Sequence, residues 1–327
     1  MAPPKVSIIL TVFKRTEFLG IALQSALNQS FDDFEVIVTD DSASPAIAAI
    51  CAQFQSEKIR YRRNESTLGV VLNLRAAVAE ARGTYIAILN DDDLWEADFL
   101  ARLVSALDQD AARVLAFSDH WIVDAKGAVD LQESEANSAR YGRAALPAGD
   151  VADFGELVVV RNGVPLAMAS VFRADAVPWE RVGREVTGAY DYWISCLLAA
   201  GGGKACYEPA RLTRYRVHGA METGRRAADK NDNQVYINRA LIAEPAFAKY
   251  RELLVRRYAA AQFHVGRDRL VFGLVKDARK FLLGSLRTRF DAKAMACWCL
   301  TFLPAPLRSA VIGRFAHPVA GSASGAR

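Results

Sequence analysis

Residues Tyr85 to Leu100 read YIAILNDDDLWEADFL. An apolar run ends at Asn90, and three consecutive carboxylates follow: Asp91, Asp92 and Asp93. Like charges gathered in a partly buried cleft repel one another, and a divalent cation relieves that repulsion. Oxygen donors at this density suit Mg²⁺ or Mn²⁺, ions that commonly bridge to substrate phosphates. Alternatively, Asp93 caps the helix expected to start near Ala97, because acids favour helix N-termini. A second acidic pair, Asp40–Asp41, ends the run FEVIVTDDS, and Arg62, Asn64, Gly69 and Asn73 lie between the two clusters.

The elements around these clusters alternate. Lys5–Phe13, Phe34–Ser42 and Thr84–Leu89 are β-rich and almost wholly apolar, as strands buried on both faces should be. Apolar residues at helical spacing (Phe18, Leu19, Ala22, Leu23, Ala26, Leu27) follow the first. Helices are also expected over Pro45–Phe54, Leu68–Ala81 (with Gly83 as a stop signal) and Ala97–Leu107, and strands at KIRYRRN and ARVLAFSDHWIVD. Strands alternating with helices imply right-handed βαβ units and a mainly parallel sheet flanked by helices. In such α/β sheets ligands bind at the carboxyl ends of the strands, where both acidic clusters fall.

Beyond Val123 the pattern loosens. DAKGAVDLQESEANSARYGRAALPAGD is expected to be a polar loop, and Leu166–Asp175 a strand. GAYDYWISCLLAAGGG reads as a helix, and KACYEPARLTRYRVH as two short strands or one bent strand ending at His218. The text beyond Met221 is helical and basic to about Phe315.

The 327-residue chain is 52% apolar, enough for a sizeable core. Its net charge is +4, unevenly placed: 21 basic and 8 acidic residues follow from Arg214 onward, against 20 and 29 before it. Of five scattered cysteines, Cys297 and Cys299 form a CxC pair, but no second pair or nearby histidine completes a zinc site, so they read as reduced thiols. MAPPKVSIIL lacks the pattern of a secretory leader, and no apolar stretch approaches the ~20 residues that span a bilayer. A cytoplasmic location is expected.

VSIILTVFKR, TDDSAS, RNESTLGVVLN, GTYIAILNDDDLWEADFL and YDYWI occur in the order and spacing of the family 2 inverting glycosyltransferases, and the resemblance covers roughly residues 5–218. It implies a GT-A (Rossmann-like) fold and transfer of a sugar from a nucleotide diphosphate-sugar, a UDP-sugar above all, to an acceptor hydroxyl. By the same resemblance Thr11, Val12 and Phe13 meet the base and ribose. Asp41 bonds the base, although an Asx turn closed on Ser42 is its alternative. Arg62 or Arg63 and Asn64 contact the nucleotide, and Gly69 allows close backbone approach. Asp91 bonds the ribose, and Asp92 or Asp93 holds the metal that bridges two phosphates, with Asp93 the first choice. The usual D-[GN]-S is Asp41–Ser42–Ala43 here, which puts the local turn in question.

An inverting transfer needs a base for the acceptor hydroxyl. The resemblance implies Asp191, with Glu185 as second choice; Tyr190 stands where the family often has a preceding acid. Tyr190, Tyr192 and Trp193 could wall a sugar or belong to the core. His218, whose neutral imidazole is a competent Mn²⁺ ligand, stands where relatives complete the metal or touch the diphosphate. Arg214 and Arg216 could neutralise phosphate. His120, His264 and His317 carry no expectation.

The expected organisation is a catalytic domain over residues 1–220, a basic helical region over 221–316 and a disordered tail over 317–327. KDARKFLLGSLRTRF reads as an amphipathic helix, suited to an anionic membrane surface or to a bundle. The expected partners are a nucleotide-sugar donor and a glycan or lipid-linked saccharide acceptor, with peripheral contact to the inner face of the plasma membrane. No nucleic-acid reading motif occurs. Two rival readings are a sugar nucleotidylyltransferase, which lacks its glycine-rich loop here, and a non-catalytic nucleotide-binding or scaffolding relative.

Overall fold

A computed structural model describes residues 3–42, 44–219 and 227–315. The tail expected over 317–327, with His317, and the boundary near residue 220 lie outside the described residues. Two compact units are present: residues 1–226 with 244–250, and residues 227–243 with 251–327.

The first unit opens with β1 (Val6–Val12), α1 (Leu19–Leu27), β2 (Phe34–Asp40), α2 (Ala46–Ala52), β3 (Ile59–Arg63), α3 (Val70–Glu80) and β4 (Tyr85–Asn90). β1 lies between β2 and β4, and β2 beside β3, all parallel. Val12, Asp40, Arg63 and Asn90 therefore end their strands at one edge. Each central strand is covered on both faces, which is why its sequence is continuously apolar. Ile8, Leu10, Val36, Val38, Ala87 and Leu89 face a core with α1 and α2. Val71, Leu74 and Ala77 of α3, which packs on β1 and β2, are also buried.

After β4 the chain forms β5 (Leu94–Trp95), α4 (Phe99–Asp108), β6 (Arg113–Val123), β7 (Val129–Asp130) and α5 (Leu131–Arg140). Then come β8 (Gly149–Asp150), α6 (Phe154–Val159), α7 (Leu166–Ala169), β9 (Ser170–Arg173), α8 (Tyr190–Ala200) and β10 (Lys204–Arg216). The sheet order is β3-β2-β1-β4-β9-β6-β10-β5. β9 runs antiparallel between β4 and β6, so those two strands still point the same way. β10 is a single strand, parallel to β6, with register shifts that bend it.

Three expectations change. The segment read as a polar loop contains α5, started by Asp130, whose side chain accepts from Glu133 N–H. This is a D-x-x-E capping pattern. Its buried positions are Ser134 and Ser138, so apolar periodicity could not reveal it. Leu166–Ala169 is a helical turn, and the strand begins at Ser170. Gly83 is no helix stop by conformation: a Cβ there would meet the Ser7 nitrogen at 2.4 Å, so close packing on β1 requires the glycine.

The second unit is helical: α9 (Ala227–Ala243), α10 (Arg251–Val271), α11 (Val275–Thr288), α12 (Ala292–Leu300) and α13 (Ala305–Phe315). Ala278, Leu282 and Ser285 of α11 are buried, and Ser285 Oγ donates to the Ala259 carbonyl at 2.9 Å. A Cβ on Gly266 would meet Leu282 Cγ at 2.7 Å, which marks how closely α10 and α11 approach. Part of the stripe expected to face a membrane is therefore used inside the unit. Phe272, Phe290 and Phe302 are exposed.

Candidate functional site

The acidic run is a turn pinned at both ends. β4 holds it from the middle of the sheet, and β5 holds it by pairing antiparallel with β10, Trp95 opposite Thr213 and Leu94 opposite Arg214. Trp95 is buried, stacks on Phe99 with ring centroids 4.4 Å apart, and donates its indole N–H to the Met168 carbonyl at 2.7 Å. The bulky pair after the acids is thus their anchor.

Asp93 is wholly buried. Its Oδ1 accepts from the Arg216 backbone N–H at 3.0 Å and its Oδ2 from Asn90 Nδ2 at 2.8 Å. Burial, then the charge of Asp92, pushes its carboxyl above the usual range. Asp92 Oδ2 lies 3.1 Å from His218 Nε2 and accepts from Arg15 Nη1 at 2.5 Å. Arg15 Nη2 donates to Asp91 Oδ1 at 2.6 Å. Burial pushes Asp91 up to about 7 against the pull of Arg15, and Asp92 adds to the push. Burial also works to lower Arg15, but Asp91 and Asp92 outweigh it and raise the guanidinium. The crowding of Asp91 against Asp92 thus adds to a rise that burial dominates.

The expected metal pair was Asp93 with His218. In the structure His218 meets Asp92 instead, while both Asp93 oxygens are engaged, by the Arg216 backbone N–H of β10 and by the Asn90 side chain. Phe18 fixes the imidazole, their ring centroids 5.1 Å apart. Arg216 is not turned to a ligand. It donates to the main-chain carbonyls of Asp92, Asp124 and Ala125 at 3.0–3.1 Å and lies over Phe18. Arg214 bonds Glu96 at 2.7 Å.

Carboxylate oxygens and one imidazole nitrogen form a suitable donor set for Mn²⁺ or Mg²⁺. Among the described residues no three His, Cys, Asp or Glu side chains form a ready cage. An ion that keeps its waters and bridges phosphates needs only one or two carboxylates, so the residues present fit it.

The neighbouring strand ends build a second network. Asp41 Oδ1 accepts from Asn64 Nδ2 and Leu68 N–H, and Oδ2 from Gly69 N–H, each at 2.8 Å. Asn64 also donates to Asn73 Oδ1 at 2.8 Å, and Asn73 donates to the Thr39 carbonyl at 3.0 Å. Arg62 donates to Thr39 Oγ1 at 2.6 Å and to Glu80 at 2.8 Å. Asp41 and Asn64, expected to touch the nucleotide, are therefore brought together and clasp the loop that starts α3. The Asx turn on Ser42 belongs to Asp40, whose Oδ1 accepts Ser42 N–H at 2.8 Å. Gly69 adopts φ +85° with open space around its missing Cβ, so conformation rather than packing within the chain requires it. At the end of β1, Thr11 is half-buried, Val12 buried and Phe13 exposed.

Asp191 lies in the first turn of α8. Burial pushes its carboxyl up, and the Tyr192 N–H holds it back. α7 packs on both β4 and α8, linking this helix to the strand that carries the acids. Trp193 belongs to the core, with its indole N–H on the Arg181 carbonyl at 2.8 Å. Tyr190 and Tyr192 are half-buried.

Arg15 and Phe18 carried no site role in the sequence. The available signal was an arginine in the loop after a strand whose end was already expected to bind nucleotide.

Residues 7–143 match the family model described as glycosyl transferase family 2. That segment is a glycosyl transferase family 2 domain. It is 25% identical to the succinoglycan biosynthesis protein ExoO of Rhizobium meliloti, over 98% of this chain and 90% of that protein. It is 31% identical to the GalNAc(5)-diNAcBac-PP-undecaprenol beta-1,3-glucosyltransferase of Campylobacter jejuni, over 34% of this chain and 37% of that protein. Among solved structures, S. aureus TarS 1-349 in complex with UDP-GlcNAc superposes with a TM-score of 0.61 at 12% identity, covering 94% of this chain and 92% of that one. The fold is GT-A.

Proposed function

We propose that this glycosyltransferase moves a sugar from a nucleotide diphosphate-sugar, first of all a UDP-sugar, to a hydroxyl of a glycan or lipid-linked saccharide, in bacterial surface polysaccharide synthesis. The observation that carries the reading is the convergence of Asp91, Asp92 and His218 at the carboxyl edge of the sheet. The printed names of the relatives, a succinoglycan protein and an undecaprenol-linked glucosyltransferase, support the acceptor class. The UDP-GlcNAc complex of TarS supports the donor class.

In this reading Asp91 orients the ribose, and Asp92 with His218, or Asp93, holds Mn²⁺ or Mg²⁺. When bound, the ion supplies positive charge against the leaving diphosphate. Asp41 and Asn64 order the loop beside the base. Asp191 takes the acceptor proton as its oxygen attacks the anomeric carbon. A carboxyl raised by burial is better matched to that work than an ordinary one. A single displacement inverts the anomeric centre. No helix among the described residues is long and apolar enough to cross a membrane. The exposed Phe272, Phe290 and Phe302, beside Lys276, Arg279 and Lys280, support peripheral contact with an anionic surface.

A thermal-shift panel of nucleotide-sugars with and without Mn²⁺ tests the donor assignment, because a ligand of the native state raises its melting temperature. A rise with one or more UDP-sugars is expected, and no rise with any nucleotide-sugar contradicts the reading. Tyr190, standing where an acid is common, favours one rival, a non-catalytic nucleotide-binding relative. UDP-sugar hydrolysis that is absent in wild type despite tight binding would support that rival.

A further inference from the structure

Arg15 is a charged side chain on the carboxylates of the acidic tip to which the proposed reaction gives no part. Its guanidinium spans two carboxylates, with Nη2 on Asp91 at 2.6 Å and Nη1 on Asp92 at 2.5 Å. Nη1 also lies 3.3 Å from His218 Nε2. The backbone aims the side chain. Lys14 takes a left-handed conformation, φ 64°, and Arg15 N–H closes onto the Phe13 carbonyl at 2.8 Å. With 28% of its side chain exposed, Arg15 sits at the mouth of the site rather than in its core.

The guanidinium lies against the oxygens and the imidazole nitrogen that a divalent cation would use. Two positive groups cannot share those atoms: their charges repel, and the Asp92 Oδ2 lone pairs are already directed at Nη1 and His218. We infer that Arg15 is an exchangeable counter-ion of the donor site, competing with the divalent cation for Asp91 and Asp92 and re-pairing with the donor's diphosphate once displaced. A planar fork of donors that can hold two carboxylates can equally hold two phosphate oxygens, which a lysine ammonium cannot match.

This role rests on the proposed nucleotide-sugar reading, and it adds an ordering to it. Cation alone must break both arginine contacts with nothing in return, so it binds weakly. A diphosphate arriving with the cation gives the displaced guanidinium a new partner, so the two ligands reinforce each other. That reinforcement is a coupling free energy and must be reciprocal.

The test is Mn²⁺ binding to the full chain, read from the electron paramagnetic resonance of free Mn²⁺, first alone and then with saturating UDP. Wild type, Arg15→Gln and Arg15→Lys are compared, with folding checked by thermal melts. Arg15→Gln should bind Mn²⁺ alone about tenfold tighter than wild type, the effect of removing a contact worth about 1.4 kcal/mol. Its gain in Mn²⁺ affinity on adding UDP should be smaller than that of wild type. Arg15→Lys, which keeps the charge but reaches one carboxylate at a time, should fall between, and it carries the test if the glutamine variant does not fold. A folded variant that binds Mn²⁺ alone no tighter than wild type overturns the counter-ion role while leaving the donor reading intact. Wild type that binds Mn²⁺ neither alone nor with UDP overturns the donor reading and this role with it.

Discussion

Nε2 of His218 lies 3.1 Å from Oδ2 of Asp92, across 126 residues of chain. β10 ends two residues before the histidine, and β4 one residue before the acids begin. Strand placement and the Phe18 ring, not local sequence, create this contact. Replacing His218 by alanine should weaken Mn²⁺-supported UDP binding about 10–100-fold, the usual effect of losing a group that holds or orients a metal ligand. Isothermal titration with Mn²⁺ present measures it, and unchanged affinity would remove His218 from the site.

Asp41 presents a different case, because three donors from the 64–69 segment converge on its carboxylate. Alanine there strands two backbone N–H groups, so Asp41→Ala should lower unfolding stability by about 1–3 kcal/mol. UDP affinity should fall with it, since the loop that starts α3 loses its clasp. Denaturant midpoints and UDP titrations on the same preparation test both effects. Lost affinity with unchanged stability would mean that Asp41 serves only the ligand.

At the opposite edge of the sheet Glu35 is 3% exposed and accepts from Ser7, Arg60 and Arg82. Burial opposes its charge, but the hydrogen bonds of Arg82, Ser7 and Arg60 win and lower it from 4.5 to about 2. A lowered carboxyl contributes stability that is complete above its unfolded value and disappears as pH falls through its folded one. Wild type should therefore lose stability between about pH 4.5 and 2, and Glu35→Gln should lose about 2 kcal/mol at neutral pH, discounted because Arg82 is largely exposed. Urea midpoints taken from pH 3 to 7 decide the matter; a glutamine variant with the wild-type acid slope would assign that slope to other groups.

Three glycines separate packing from conformation. A Cβ on Gly83 meets Ser7 backbone at 2.4 Å, one on Gly69 has space but φ +85°, and one on Gly20, within α1, has space. Gly83→Ala should lower stability most, Gly69→Ala by about 1–3 kcal/mol from backbone strain, and Gly20→Ala should be neutral or stabilising by up to about 1 kcal/mol. Melting temperatures rank them, and an equal loss at Gly20 and Gly83 would contradict the packing assigned here.

Much of the site was legible where one strand carried both its position and its chemistry. Asp40, Asp41 and Asp91 to Asp93 follow apolar runs, and a parallel sheet had to bring those strand ends to one edge. Gly69 was marked, though its cause is its dihedral angle rather than closeness within the chain. Contacts between distant segments were not legible. That Arg216 would clamp the tip's carbonyls, that His218 would choose Asp92 over Asp93, and that a left-handed Lys14 would turn Arg15 inward all depend on the register of β10 and the turn after β1. Helix α5 escaped because its buried face is built from serines.

The central claim is that the acidic tip grips a divalent ion and, through it, a nucleotide diphosphate. Calorimetric titration of UDP into wild type and Asp92→Ala, each with Mn²⁺ and with a chelator, tests it most directly. The account predicts that wild type loses at least about tenfold in UDP affinity when the metal is chelated, a change of about 1.4 kcal/mol, and that Asp92→Ala is weak in both conditions. Equal UDP affinity in all four titrations would contradict it.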